Sequence, residues 1–271
     1  MNSFSVLMSL YFKESPTYLQ DCFDSILSQT ILPGEVVLVK DGPLSKDLEL
    51  VIDDYSQRLP NLKIIKLPVN VGLGNALNEG LKHCSYDLVA RMDTDDICKS
   101  DRFEKQVAKF MEDENLDVVS SWIDEFETDI TNVKTTRKLP ETHCQIYQYG
   151  KSRCPINHPV VMFKKSAVIA AGGYLHMPLF EDYYLWVRML VNGAKFYNIQ
   201  ESLLYFRTSD AMFMRRGGYS YAKTEFGFLR EIYRLGYVKL LPTVKNFAIR
   251  FIVRIMPNRF RQYIYMNFLR K

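Results

Sequence analysis

The sequence reads as an α/β protein with a mostly parallel central sheet flanked by helices and a basic helical tail. Three observations lead to that class. Short apolar, β-branched runs alternate with helical patterns through the first half, a repetition that argues for parallel strands with helices on both faces. At 271 residues and 47% hydrophobic, the chain can bury one large core. Residues 232–271 hold nine Lys or Arg and no Asp or Glu, so the net charge of +4 hides a mildly acidic body joined to a basic end.

The strand candidates are 5–10, 35–39, 62–66, 88–92 and 118–121, with helices between them at about 17–29, 46–58, 74–82 and 102–112. In open sheets of this kind ligands gather beyond the carboxyl ends of the strands, here segments 11–14, 41–43, 70–75 and 93–96. The second half predicts a strand at 157–163, a short helix at 165–170, a longer helix at 181–191 and extended chain over 194–206. Segment 209–218 reads as a loop, joining Met212 and Met214 to Arg215, Arg216 and two glycines.

From Tyr219 onward the pattern is helical. Within 242–271, Val244, Phe247, Ala248, Phe251, Ile252 and Ile255 form one apolar face, with Arg250 and Arg254 away from it. Beyond Pro257, Phe260, Tyr263, Ile264 and Phe268 repeat the pattern beside Arg259 and Arg261. Such helices suit a membrane interface rich in anionic lipid; packing on the chain's own domain or on a partner subunit is the alternative.

Several classes are excluded. No apolar run reaches membrane-spanning length and the start lacks a secretion signal, so a cytoplasmic location is expected. Five scattered cysteines without a C-x-x-C pair indicate neither a disulfide framework nor a zinc knuckle. Asn70–Asn78 carries glycines near a helix start, but Leu77 stands where a dinucleotide fingerprint needs its third glycine, and no P-loop occurs.

The strongest chemical signal is Arg91-Met92-Asp93-Thr94-Asp95-Asp96, three carboxylates directly beyond a buried strand. Such a cluster calls for positive charge, and a hard divalent cation, Mg²⁺ or Mn²⁺, takes oxygen ligands and bridges carboxylates to a diphosphate. Asp93 and Asp95 share a side in extended chain and are the candidate metal ligands; helix capping or a turn is the competing role for Asp95 and Asp96. Asp41, at the tip of the second strand, fits acceptance of a uracil N–H or a simple Asp-Gly-Pro turn.

Together with Asn157-His158-Pro159 and Phe180-Glu181-Asp182-Tyr183, these residues resemble glycosyltransferase family 2, over roughly residues 3–210. The resemblance is closest to bacterial O-antigen and exopolysaccharide enzymes that extend a lipid-diphosphate-linked sugar. It implies a GT-A-like fold over 1–218, with a nucleotide-sugar-binding half at 1–121, an acceptor-binding half at 122–218 and a membrane-associating region at 219–271. It also implies an inverting hexosyl transfer from a UDP-sugar, using Mn²⁺ or Mg²⁺, to GlcNAc- or GalNAc-diphosphate-undecaprenol. The reaction would run on the cytoplasmic face of the inner membrane, with no nucleic-acid partner. By position in the motif Asp182 is the catalytic base, with Glu181 as the fallback.

The chemistry of that acidic pair agrees with the resemblance, because single displacement needs one carboxylate opposite the leaving group; two acids opening a helix are also favoured by its dipole alone. Tyr11, Glu14, Asp41, Asn70, Gly74, Asn75, Arg91, Asp93 and Arg207 are the candidate nucleotide-sugar contacts. Arg207, with Arg215 or Arg216, suits closure over the pyrophosphate, and equally an ordinary solvated loop. His158, Tyr183 and Trp186 are the candidate acceptor contacts; a satisfied loop histidine and core aromatic rings are the alternatives. A sugar nucleotidyltransferase would want a glycine- and basic-rich loop where this chain has Tyr11-Phe12-Lys13-Glu14-Ser15-Pro16. A non-catalytic assembly protein would not need Asp93, Asp95 and Asp182 together.

Overall fold

Four runs of apolar, β-branched residues form the strands that their composition predicts, and the helices between them return the chain in the same direction. In this computed structural model, which describes residues 3–59, 61–208, 218–239 and 241, the order is β1 (Ser5–Leu10), α1 (Pro16–Leu27), β2 (Glu35–Lys40), α2 (Lys46–Tyr55), β3 (Leu62–Lys66), α3 (Leu73–His83) and β4 (Leu88–Met92). Pro16 opens α1, where a missing N–H costs nothing, and the Ser45 hydroxyl caps α2 on the Leu48 amide. These strands pair in parallel in the order β3-β2-β1-β4.

Alternation sorts the side chains into two layers. Val6, Met8, Val36 and Leu38 face α1 and α2 with Phe23 and Ile52, whereas Leu7, Val37 and Val39 face α3 with Leu77 and Leu81. Gly80 lets α3 lie against the sheet: a Cβ there would stand 2.4 Å from Leu7 Cδ1. That approach fixes the start of α3 over the carboxyl ends of the strands.

The second half extends the same sheet with mixed strands. It contains β5 (Ile97–Cys98), α4 (Arg102–Glu112), β6 (Leu116–Phe126), β7 (Thr135–Arg137), α5 (His143–Tyr149), β8 (Met162–Lys164), α6 (Lys165–Ala170), α7 (Glu181–Val191), β9 (Lys195–Arg207) and α8 (Tyr219–Arg234). The sheet continues β4-β8-β6-β9-β5, with β7 on β6; β6 and β9 run parallel while β8 is antiparallel to both neighbours. The expected strand over 157–163 is a correction: His158–Val160 is a 3₁₀ turn closed by Val160 N–H donating to Asn157 O at 3.2 Å, and the strand starts only at Met162. Pro159 has no amide for a ladder, which is why the apolar run does not extend through it.

Helix α8, the start of the region expected to meet a membrane, packs on the core. Phe228 stacks on Phe180 at 4.9 Å, and the following Tyr237 hydroxyl donates to Tyr147 O at 2.7 Å. The loop expected at 209–218, apart from Gly218, and the amphipathic stretch 242–271 lie outside the described residues. Among the described residues no helix is long and apolar enough to cross a membrane.

A buried carboxylate paired with a surface lysine ties the bottom of the sheet. Glu35, 3% exposed, accepts from the Ser5 hydroxyl at 2.6 Å and from the Ser85 amide at 2.5 Å, and pairs with Lys63 at 2.6 Å. Burial pushes its carboxyl up, but the bonds from Lys63, Ser5 and Ser85 outweigh that and bring it down to about 2. A depressed carboxylate stabilises the fold above its unfolded value near 4.5 and loses that contribution as pH falls toward 2. Glu35→Gln is therefore expected to cost about 1–3 kcal/mol at pH 7. It should also flatten the fall in stability between pH 5 and 2, which urea denaturation at several pH values measures.

Candidate active site

The acidic motif sits where β4 ends and turns into the short β5. Ligand oxygens of Asp93, Asp95 and Asp96 lie within 4.8 Å of one another, so Asp96 joins the two residues that the motif singles out. Arg91, almost wholly buried, points both terminal guanidinium nitrogens at the two carboxylate oxygens of Asp93, two residues on. Burial and the charges of Asp93 and Glu14 push Asp95 up to about 7, and burial with Asp95 and Asp93 pushes Asp96 well up. Asp96 Oδ1 accepts from the Arg207 amide at 2.9 Å, while Oδ2 is buried with no hydrogen-bond partner. An orphaned carboxylate oxygen beside two mutually repelling acids fits a hard divalent cation with oxygen ligands.

Arg207 lies against the acidic turn. From the end of β9 its Nε donates to Asp95 O at 2.9 Å and its Nη2 reaches Asp21 Oδ2 at 3.2 Å. The guanidinium carbon lies 3.8 Å from the Tyr18 ring centre and 4.6 Å from that of Phe126. These contacts tie Arg207 to the acidic turn. Glu14 braces the same turn, accepting from Thr94 Oγ1 and from the Ser15 amide, both at 2.8 Å.

Beside the motif opens a cleft of about 370 Å³ whose walls come from both halves of the chain. Of the predicted residues, Gly74, Arg91, Asp93, His158, Glu181 and Asp182 line it; Ile123, Glu125, Arg137, Tyr174 and Leu179 line it without a motif to mark them. Glu181 and Asp182 open α7. Burial pushes the Glu181 carboxyl up against the pull of its own amide, and the charge of Asp182 adds to the rise. Leu179, two residues earlier, is held at φ +69°, a strained conformation of the kind that gathers at functional sites. Gly74 brings the first turn of α3 against this wall, where a Cβ would stand 3.3 Å from Tyr174 Cβ and 3.6 Å from Glu181 Cγ.

His158 is buried, with Nε2 2.8 Å from the Tyr174 hydroxyl; burial and the charge of Arg91 hold it well below the usual imidazole range, hence neutral. Tyr174 is in turn clasped by Asn78, whose side chain accepts from its amide at 2.8 Å and donates to its carbonyl at 2.7 Å. Histidine and tyrosine thus form one supported part of the cleft wall.

Asp41, Asn70 and Asn75 shape the loop that feeds α3. The Asp41 carboxylate accepts from the amides of Val71 at 2.7 Å and Gly72 at 3.1 Å, Asn70 Nδ2 donates to Asp41 O at 3.2 Å, and Asn75 Nδ2 to Val71 O at 2.9 Å. Gly42 makes this possible, because at φ +90° an added Cβ would meet the Asn70 nitrogen at 2.8 Å. Tyr11 stands partly exposed at the tip of β1.

Tyr183 and Trp186 are core residues rather than a sugar platform. The Tyr183 hydroxyl donates to Gly150 O at 2.7 Å and its ring packs on Phe228 at 4.5 Å. Trp186 is 0% exposed, enclosed by His158, Phe163 and Phe196. Neither offers a ring face to a ligand.

Comparison with known proteins agrees with the fold. The family model described as Glycosyl transferase family 2 matches residues 5–168. The chain is 40% identical over 268 residues to the UDP-Gal:alpha-D-GlcNAc-diphosphoundecaprenol beta-1,3-galactosyltransferase of Escherichia coli, covering 99% of this chain and 97% of that protein. It is also 40% identical over 262 residues to the amylovoran biosynthesis glycosyltransferase AmsE of Erwinia amylovora, covering 97% of each. The mannosyltransferase PcManGT from Pyrobaculum calidifontis, solved in complex with GDP-Man and Mn²⁺, shares the GT-A fold. Its TM-score is 0.63 at 16% identity, over 95% of this chain and 71% of that one.

The burial of Trp186 has a measurable consequence. Trp186→Ala is expected to lower stability by about 3–5 kcal/mol, as for other buried aromatic rings. Denaturant unfolding checks this, and unchanged stability combined with a raised acceptor KM would return Trp186 to the binding surface.

Proposed function

Because this chain belongs to glycosyltransferase family 2 and is a glycosyltransferase, we propose that it moves a hexose, glucose or galactose or an N-acetylated relative, from a UDP-sugar onto a lipid-diphosphate-linked GlcNAc or GalNAc, with inversion. Such a step belongs to O-antigen or exopolysaccharide assembly. The observation that carries this reading is that Asp93 of the acidic cluster and the Glu181-Asp182 pair line one cleft. The E. coli relative, named for a UDP-galactose donor and a GlcNAc-diphosphoundecaprenol acceptor, supports the choice of substrates.

Asp182 is the base of this proposal. Its carboxylate takes the proton of the acceptor hydroxyl as that oxygen bonds to the anomeric carbon and the bond from that carbon to the nucleotide diphosphate breaks. Proton removal by a positioned carboxylate supplies about 10²–10⁴-fold in rate. Burial, with the charge of Asp182 beside it, raises the Glu181 carboxyl toward its neutral form, and Glu181 is the fallback base. Asp93, Asp95 and Asp96 would hold Mn²⁺ or Mg²⁺, which when bound stabilises negative charge on the leaving diphosphate. Arg91 and Arg207 keep those three carboxylates in position.

Residues 1–121 supply the acidic cluster and residues 122–208 the base, in keeping with a donor half and an acceptor half of one catalytic domain. The basic stretch 242–271 is the segment proposed to meet anionic lipid on the cytoplasmic face of the inner membrane, where a lipid-linked acceptor would lie. Asp182→Asn is expected to leave donor affinity within twofold and to reduce transfer by at least about 100-fold. Initial rates with UDP-sugars and a synthetic lipid-diphosphate acceptor test this, and a near-normal rate would reject Asp182 as the base.

A further inference from the structure

The cleft holds a second cation whose place in the reaction is unassigned. Among the described residues that line it, the cationic ones are Arg91 and Arg137. Arg91 is almost wholly buried and spends both terminal nitrogens on Asp93. Arg137 is half-buried at the end of the edge strand β7, paired in register with Ile123 of β6, which lines the cleft with it. One terminal nitrogen of Arg137 donates to the Cys154 carbonyl at 3.2 Å.

Cys154 is in contact with both Arg137 and the proposed base. Its sulfur lies 4.0 Å from Asp182 Oδ2 while its carbonyl takes the bond from Arg137, so the carboxylate and the guanidinium flank a single residue. The opposite charges of Asp182 and Arg137 both act on the Cys154 thiol, in opposite directions. Arg137 and Asp182 therefore stand near each other on the cleft wall, close enough for one bound acceptor to meet both.

Charge points the same way. Asp93, Glu125, Glu181 and Asp182 give the cleft an acidic lining. A diphosphate entering it on the acceptor side needs a counter-charge separate from the carboxylate cluster that faces the donor. A planar guanidinium with spare N–H groups binds phosphate oxygens in pairs.

We propose that Arg137 recognises the diphosphate at the reducing end of the acceptor and makes the enzyme selective for lipid-diphosphate-linked sugars over phosphate-free ones. This rests on the acceptor reading above and deepens it. Arg137 acts in specificity, remote from the bond that forms, so its loss is expected in acceptor KM more than in kcat.

The test compares two acceptors, a GlcNAc-diphosphate-alkyl lipid and the same sugar joined to the alkyl chain without phosphate, in the wild type and in Arg137→Gln and Arg137→Lys. Glutamine keeps a donor for the Cys154 carbonyl and removes the charge. Arg137→Gln is expected to raise KM for the diphosphate acceptor about 10- to 100-fold. Turnover of the phosphate-free acceptor and KM for the UDP-sugar should stay within about twofold, and Arg137→Lys should recover part of the lost affinity. Equal losses on both acceptors, or a rise in UDP-sugar KM matching that for the diphosphate acceptor, would overturn the assignment, the latter by placing Arg137 on the donor diphosphate. A melting temperature lowered alongside a uniform loss would mark Arg137 as structural and equally overturn it. If the wild type transferred to the phosphate-free acceptor and not to the diphosphate one, the acceptor reading itself would fall, and this proposal with it.

Discussion

The site depends on keeping three carboxylates together at the end of a buried strand. At 4.8 Å each ionised pair repels by about 3 kcal/mol at an effective dielectric of about 20, comparable to the worth of a well-made buried hydrogen-bond pair. Left alone, the turn would relax or its acids would take up protons. Arg91 neutralises Asp93 from beneath, and Arg207, arriving from more than a hundred residues away, fastens Asp95 and Asp96 through a carbonyl and an amide. On the proposed reading, the negative charge that remains is what a divalent cation would balance.

Topology then brings the rest of the machinery to that turn. The parallel strands β3-β2-β1-β4 place their carboxyl ends on one edge, and the close packing of α3 through Gly80 aims its first turn at the same edge. The parallel pairing of β6 with β9 carries Arg207 to the motif, and β5 pairs with β9 to anchor the turn from the other side. Helix α7 starts at the cleft with its two acids and runs away into the core, where Trp186 and Tyr183 are buried. One helix thus contributes two cleft-lining acids at its first turn and core packing along its length.

Much of this was legible in the residues, for physical reasons. Strands β1, β2 and β4 are buried on both faces and so read as largely apolar runs, and strand-end acids are conspicuous because they follow such runs. What was hidden depends on partners distant in the chain. Nothing near Arg207 shows that its guanidinium meets Asp95 and Asp21, and β5 and β7 are too short to carry a periodic signal. The apolar stretch around Pro159 has the hydrophobicity of a strand, but the proline's missing amide ends the ladder there. Tyr183 and Trp186 illustrate a further limit: an aromatic ring on a helix suits a sugar face and a core equally well, and only the enclosure by Phe163, Phe196 and Phe228 decides. Arg137 and Tyr174 enter the cleft through chain crossings that no local motif records.

The most direct measurement is a crystal structure of the protein soaked with Mn²⁺ and UDP, with anomalous scattering to locate the metal. The expected result is a single strong anomalous peak within coordination distance of oxygens from the Asp93, Asp95 and Asp96 group, with the outer phosphate in the cleft that Asp182 lines. A metal bound elsewhere, or a nucleotide whose phosphates lie outside that cleft, would contradict the assignment of donor, cation and base to one site.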